Sequence, residues 1–162
     1  MPPKPAGADA ARPPPPKKGP KGKNQGLELE NTPATAGEGV FTHPLTKSKY
    51  EGQWQRFDGV MKRHGVGIYT DGGATYDGHF VEDLYHGMGT YTAIDGSTYK
   101  GEWKNGQMSG HGVYTWPDGS TFDGNWENGK MEGPGVFTDA NKQVWTGNWH
   151  EGNADCQNLP VS

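Results

Sequence analysis

Aromatic and glycine residues return along this chain at a fixed interval, and that interval limits the fold more than any other feature. Tyr76, Tyr99, Phe122 and Trp145 stand 23 residues apart, as do Gly78, Gly101, Gly124 and Gly147, and Phe80, Trp103, Trp126 and Trp149. A second set follows each of the first three: Gly87, Gly110 and Gly133, then Gly89, Gly112 and Gly135, then Tyr91, Tyr114 and Phe137. Six positions held in step imply a tandem repeat, and a repeat outranks any isolated motif inside it. The unit is clearest over Tyr99 to Thr121, YKGEWKNGQMSGHGVYTWPDGST.

Each unit splits into two alternating runs. Tyr99, Gly101 and Trp103 share one face by the period of two, and Gly112, Tyr114 and Trp116 share one face in the second run. Asn105-Gly106 lies between the runs and Pro117-Asp118-Gly119 after them. Asn-Gly and Asp-Gly are turn pairs in which both residues tolerate positive φ, so each unit reads as a β-hairpin joined tightly to the next. Ten strands are expected between Gly37 and Trp149, forming a twisted meander roughly 45 Å long at ~4.8 Å per strand. Glycine weakens a strand unless its missing side chain is used, and here it leaves a slot for a neighbouring ring. Gly37 to Pro44 matches the second half of the unit, so the repeat opens on a half-unit. The unit starting at Tyr50 is three residues longer than the others, with the extra length expected in a loop around Phe57 to Arg63 and the following turn one residue short.

The fold class predicted is all-β, an elongated single-layer antiparallel meander over residues 37–152, with a C-terminal tail over 153–162. Only 30% of residues are apolar, so burial must come from the six Trp, seven Tyr and five Phe. Residues 1–36 hold nine of the thirteen prolines and the lysines Lys17, Lys18, Lys21 and Lys23. This basic tail cannot bury enough surface to order itself and reads as disordered, with a polyproline ligand or a contact to an acidic surface as its functional readings. Leu27 to Glu30 could form a strand only when docked. The formal charge is −4, and the tail carries six basic residues against three acidic ones, leaving −7 on the remainder. That acidic body signals no nucleic-acid partner and disfavours an anionic membrane. A single cysteine, Cys156, excludes an intrachain disulfide and suits a reducing compartment; the chain reads as cytoplasmic, with no apolar run able to span a bilayer.

No Gly-x-Gly-x-x-Gly or P-loop occurs. His150-Glu151 lacks a second histidine, and His64, His86 and His111 fall at turn or surface positions without ligand spacing. Glu102, Asp123 and Glu127 read as a solvated face. No catalytic residue, cofactor or metal is implied, and the chain reads as non-enzymatic.

The spacing Tyr-x-Gly-x-Trp-x-x-Gly, then Gly-x-Gly, then Asp-Gly resembles the MORN repeat, named for membrane occupation and recognition nexus. The resemblance covers residues 37–152, and Glu132 to Asp139 with Trp145 to Trp149 looks like the end of the short MORN repeat-containing protein 2 type. Two departures stand out: Asn141-Lys142 replaces Asp-Gly, implying a less regular turn, and Phe80 replaces Trp. The resemblance implies a rod-like module that binds proteins, in some members lipids, with short members packed into axonemal assemblies of cilia and flagella or other cytoskeletal assemblies. An aromatic protein-binding face would then comprise Tyr76, Phe80, Tyr99, Trp103, Tyr114, Trp116, Phe122, Trp126, Trp145 and Trp149. Partner segments, or a second copy in a homodimer, could also pair with the edges at Gly37 to His43 or Trp145 to Trp149.

Overall fold

The computed structural model describes residues 35–155 and 159–161. The Pro- and Lys-rich segment up to residue 34, including Lys17, Lys18, Lys21, Lys23 and Leu27 to Glu30, lies outside the described residues, as does Cys156.

Ten strands follow one another: β1 (Ala36–Thr42), β2 (Lys49–Phe57), β3 (Val60–Asp71), β4 (Ala74–Val81), β5 (Leu84–Thr92), β6 (Thr98–Lys104), β7 (Gln107–Thr115), β8 (Thr121–Glu127), β9 (Lys130–Thr138) and β10 (Val144–His150). Each pairs antiparallel with the next, so spatial order equals chain order. This is the all-β meander that the alternation and the turn pairs predict. Two further short strands, β11 (Asn153–Ala154) and β12 (Leu159–Val161), both pair with β10. They fall in 153–162, where the sequence shows no repeat, because their pairing follows the edge already present rather than any local pattern.

From β1 to β10 one glycine register runs through every consecutive strand pair. Gly39 faces Gly52, Gly52 faces Gly67, and the row continues unbroken to Gly135 facing Gly147. Two positions along runs a parallel row of rings, from Phe41 facing Tyr50 to Phe137 facing Trp145. Within the hairpins β2–β3, β4–β5, β6–β7 and β8–β9, the register shifts just past the glycine, at the same place in each unit. Such bulges add local twist to an otherwise plain ladder.

The turns divide into two kinds. Inside the hairpins, Asn105-Gly106 has both φ values positive, at 51° and 79°, the two-residue geometry that matches strand twist. Between units the Asp-Gly expectation needs correction: Gly119 alone has positive φ, and Asp118 instead accepts hydrogen bonds from the Ser120 amide (2.9 Å) and hydroxyl (2.6 Å). These bonds hold the Asp118 carboxyl below its ordinary pKa. The last such turn is also more regular than Asn141-Lys142 suggests. Lys142 takes the glycine's place with φ 68° and donates its amide to the Asp139 carbonyl (3.0 Å), while the Asp139 carboxylate accepts from Asn141 and Gln143. A left-handed conformation costs a non-glycine residue ~1 kcal/mol. Lys142→Gly is therefore expected to raise the melting temperature by a few degrees, checked by thermal denaturation.

The extra length of the Tyr50 unit is not a loop. Asp58-Gly59 forms the tight turn, and Phe57 pairs with Val60, Arg56 with Met61 and Gln55 with Lys62. A good turn pair followed by residues able to extend lets inserted chain gain ladder bonds instead of looping out. The short turn that follows is Gly72-Gly73, with φ 60° and 97°.

Candidate functional site

The structure places the ten aromatic residues of the expected binding face on one side of the sheet, but as its core. Tyr76, Tyr99 and Phe122 are 0% exposed; Phe80, Trp103, Tyr114, Trp116, Trp126 and Trp149 are buried; Trp145 is partly buried. They are not an open platform, because the rings close over one another. Successive edge-to-face contacts join Tyr50, Phe80, Tyr76, Trp103, Tyr99, Trp126, Phe122 and Trp149, with centroids 4.9–5.4 Å apart. Each such pair contributes about 0.5–1.5 kcal/mol beyond its burial. Tyr76, Tyr99 and Phe122 therefore each lie between the fifth-position ring of their own unit and that of the next, so none of these units completes its core alone.

Polar ends of the rings meet the backbone. The Tyr76 hydroxyl donates to the His79 carbonyl and the Tyr99 hydroxyl to the Glu102 carbonyl, both at 3.0 Å and both at the bulge. Trp103 Nε1 donates to the Gly89 carbonyl (3.1 Å) and Trp126 Nε1 to the Gly112 carbonyl (3.0 Å). Burial pushes the Tyr50 phenol up to about 12, with the nearby Arg63 charge opposing it, and raises Tyr76, Tyr85 and Tyr99 further. A phenol raised on folding keeps its proton in the folded state, so its stabilisation is complete below the unfolded pKa near 10 and is lost as pH rises above it. Alkaline titration followed by ultraviolet absorbance and circular dichroism should show the buried tyrosines ionising together as the sheet unfolds. Independent ionisation near pH 10 with the sheet intact would contradict that coupling.

One functional-looking group escapes the sequence pattern. Arg63 faces Trp54 where Met108 faces Trp103 and Met131 faces Trp126. It is 5% exposed, its Nε lies 3.0 Å from Asp83 Oδ1, and its guanidinium sits 4.5 Å from the Tyr69 ring centroid. Aligning the units on their bulges would have marked it as a core position. Its role is to fill and cross-tie the second unit, not to present charge. Elsewhere His111 and His150 make exposed contacts to Asp123 and Glu132, each at 2.9 Å. Among the described residues no group of three or more His, Cys, Asp or Glu could hold a metal ion.

The two ends of the sheet differ. At the β10 end the expected open edge at Trp145 to Trp149 is covered: β11 pairs with Trp149 and His150, and β12 with Val144 to Thr146. At the other end β1 pairs only with β2 among the described residues, leaving its outer side without a strand. Beside it opens a cleft of about 420 Å³ lined by Ala36, Gly37, Glu38, Gln53, Trp54 and His64. The Trp54 ring lies over Gly37, where a Cβ would come within 2.9 Å of it. Interior counterparts such as Trp103 are sealed by rings of the preceding unit, Tyr76 and Tyr85. Trp54 has no preceding unit and stays partly exposed.

The MORN repeat family model matches residues 62–73, 76–98, 99–121 and 122–144. The chain belongs to the MORN-repeat family. The match boundaries at Tyr76, Tyr99 and Phe122 are the first rings of successive units, so the family's unit and the structural unit coincide. MORN repeats are binding modules for proteins or membranes, and that description applies to this chain. The half-unit at β1 and residues 145–150 of β10 lie outside the matched segments, and the finer likeness of residues 132–139 and 145–149 to one short MORN type rests on the residues alone. No match to this chain was found among curated proteins.

Proposed function

We propose that this MORN sheet is a non-enzymatic scaffold that binds other proteins within a ciliary, flagellar or other cytoskeletal assembly. The observation carrying the binding reading is the outer side of β1, unpaired among the described residues, beside the half-covered Trp54. Its main-chain groups offer hydrogen bonds to an incoming strand, and the ring offers an apolar seat. The cytoskeletal setting rests on the resemblance of the repeat itself to MORN repeats. An anionic-lipid adaptor is the weaker reading, because residues 37–162 carry a formal −7 and would repel such a surface.

A tagged full-length chain, localised in ciliated cells and cross-linked in place, tests this. Enrichment on a cilium or filament is expected, with purified chain failing to bind phosphoinositide vesicles. A diffuse distribution would count against the scaffold reading, and tight vesicle binding that survives removal of residues 1–36 would replace it with the lipid one.

A further inference from the structure

The sheet begins and ends on complementary halves of its own unit. β1, with Gly37, Gly39 and Phe41, corresponds to β7, with Gly110, Gly112 and Tyr114: the second half of a unit with no first half before it. β10, with Trp145, Gly147 and Trp149, corresponds to β6, with Tyr99, Gly101 and Trp103: a first half whose second half stops after Asn153–Ala154.

We propose that β1 of one copy docks on β10 of a second copy, completing the broken unit and joining chains head to tail. This rests on the reading of β1 as a docking edge and names the partner as the chain itself.

The register supports that occupant over a symmetric β1–β1 pair. Laid on β10 as β7 lies on β6, an incoming β1 sets Phe41 against Trp145 and Gly39 against Gly147, continuing both the ring row and the glycine row without a break. Two β1 strands paired about Gly39 would instead set Phe41 against Gly37, a glycine the Trp54 ring already covers. The outward-facing main-chain groups also match. Arg56 donates to the Thr35 carbonyl, which turns the odd-numbered residues of β1 toward β2 and the even ones outward. On β10 Asn148 accepts from Asp155, so the even residues face outward there too. Thr146 would then exchange hydrogen bonds with Val40, which is 58% exposed.

β11 does not block this docking, since it occupies only the start of the missing half. β12 does, because it holds Val144 to Thr146 where β1 would lie. It has only three residues, so its pairing is confined to Val144, Trp145 and Thr146. β12 is thus a short cap that competes with the second copy. A heterologous contact of this kind repeats without closing, giving open chains of copies unless the rotation makes a ring.

Light scattering of the full chain, and of a variant ending at residue 155, tests the proposal across a concentration series. Removing the cap should let species larger than dimers form at a concentration about tenfold lower or more. Val40→Pro in the shortened chain, with unchanged circular dichroism, should return it to monomer. In mixtures of isotopically labelled and unlabelled protein, a short lysine cross-linker should join Lys47 of one copy to Lys142 of another; within one chain these lie at opposite ends of the sheet. A shortened chain that stays monomeric, or stops at a dimer without the Lys47–Lys142 link, overturns head-to-tail joining. So does association released by removing residues 1–34 instead, which would assign β1 to the chain's own leading segment. If self-association is absent yet Val40→Pro abolishes cross-links to cellular proteins, only the identity of the partner is wrong. If Val40→Pro changes neither, the docking edge itself is refuted.

Discussion

Gly112→Val is expected to unfold the centre of the sheet, lowering stability by about 4 kcal/mol or more. A Cβ at Gly112 would stand 2.5 Å from Cζ and 2.6 Å from Cε2 of Tyr99, a ring held on its other sides by Trp103 and Trp126. The ring cannot swing away without giving up its hydroxyl bond to Glu102, so the strand itself must move. Gly119→Ala is the contrast. Nothing lies within 4 Å of that turn position, and its φ of 82° alone should cost about 1 kcal/mol. Urea denaturation of both variants separates the two uses of glycine. Equal losses would mean that the slot under Tyr99 is unimportant.

Trp103→Ala and Trp126→Ala should each cost about 3–5 kcal/mol. Each removes a buried indole, two edge-to-face contacts in the ring chain, and the hydrogen bond to Gly89 or Gly112. The two indoles flank Tyr99, so the losses should not add: once one is gone, Tyr99 is already free to shift. The double variant is expected to lose less than the sum of the two singles by about 1 kcal/mol or more, or to fail to fold. Strict additivity in a denaturant series would show that the rings act as separate pairs and not as one chain.

The repeat made most of this fold legible. Alternation about Tyr99, Gly101 and Trp103 assigned the faces, and Asn105-Gly106 placed the turn, because both are local properties of backbone and side-chain size. What stayed hidden depends on contacts across units. That the aromatic face is a closed core follows from each unit's ring filling its neighbour's gap, which no single unit displays. Arg63, placed by its sequence only at the end of the expected loop, becomes a core position once the register sets it opposite Trp54 as Met108 and Met131 stand opposite Trp103 and Trp126. The Phe57 to Arg63 insertion looks like a loop because its pairing depends on Asp58-Gly59 winning against other turns. β12 is invisible to periodicity because its three residues copy nothing; they lie along an edge that the rest of the chain creates.

The unbroken glycine row also bears on how such a gene can change length. Because Gly faces Gly with no offset at every consecutive pair from β1 to β10, duplicating or deleting one 23-residue block leaves the register on both sides intact. The sheet then grows or shrinks by two strands, ~10 Å at the usual strand spacing, while both terminal halves keep their sequence and pairing. Copy-number variation in this coding segment would therefore act as a stepwise length adjustment with unchanged end fittings.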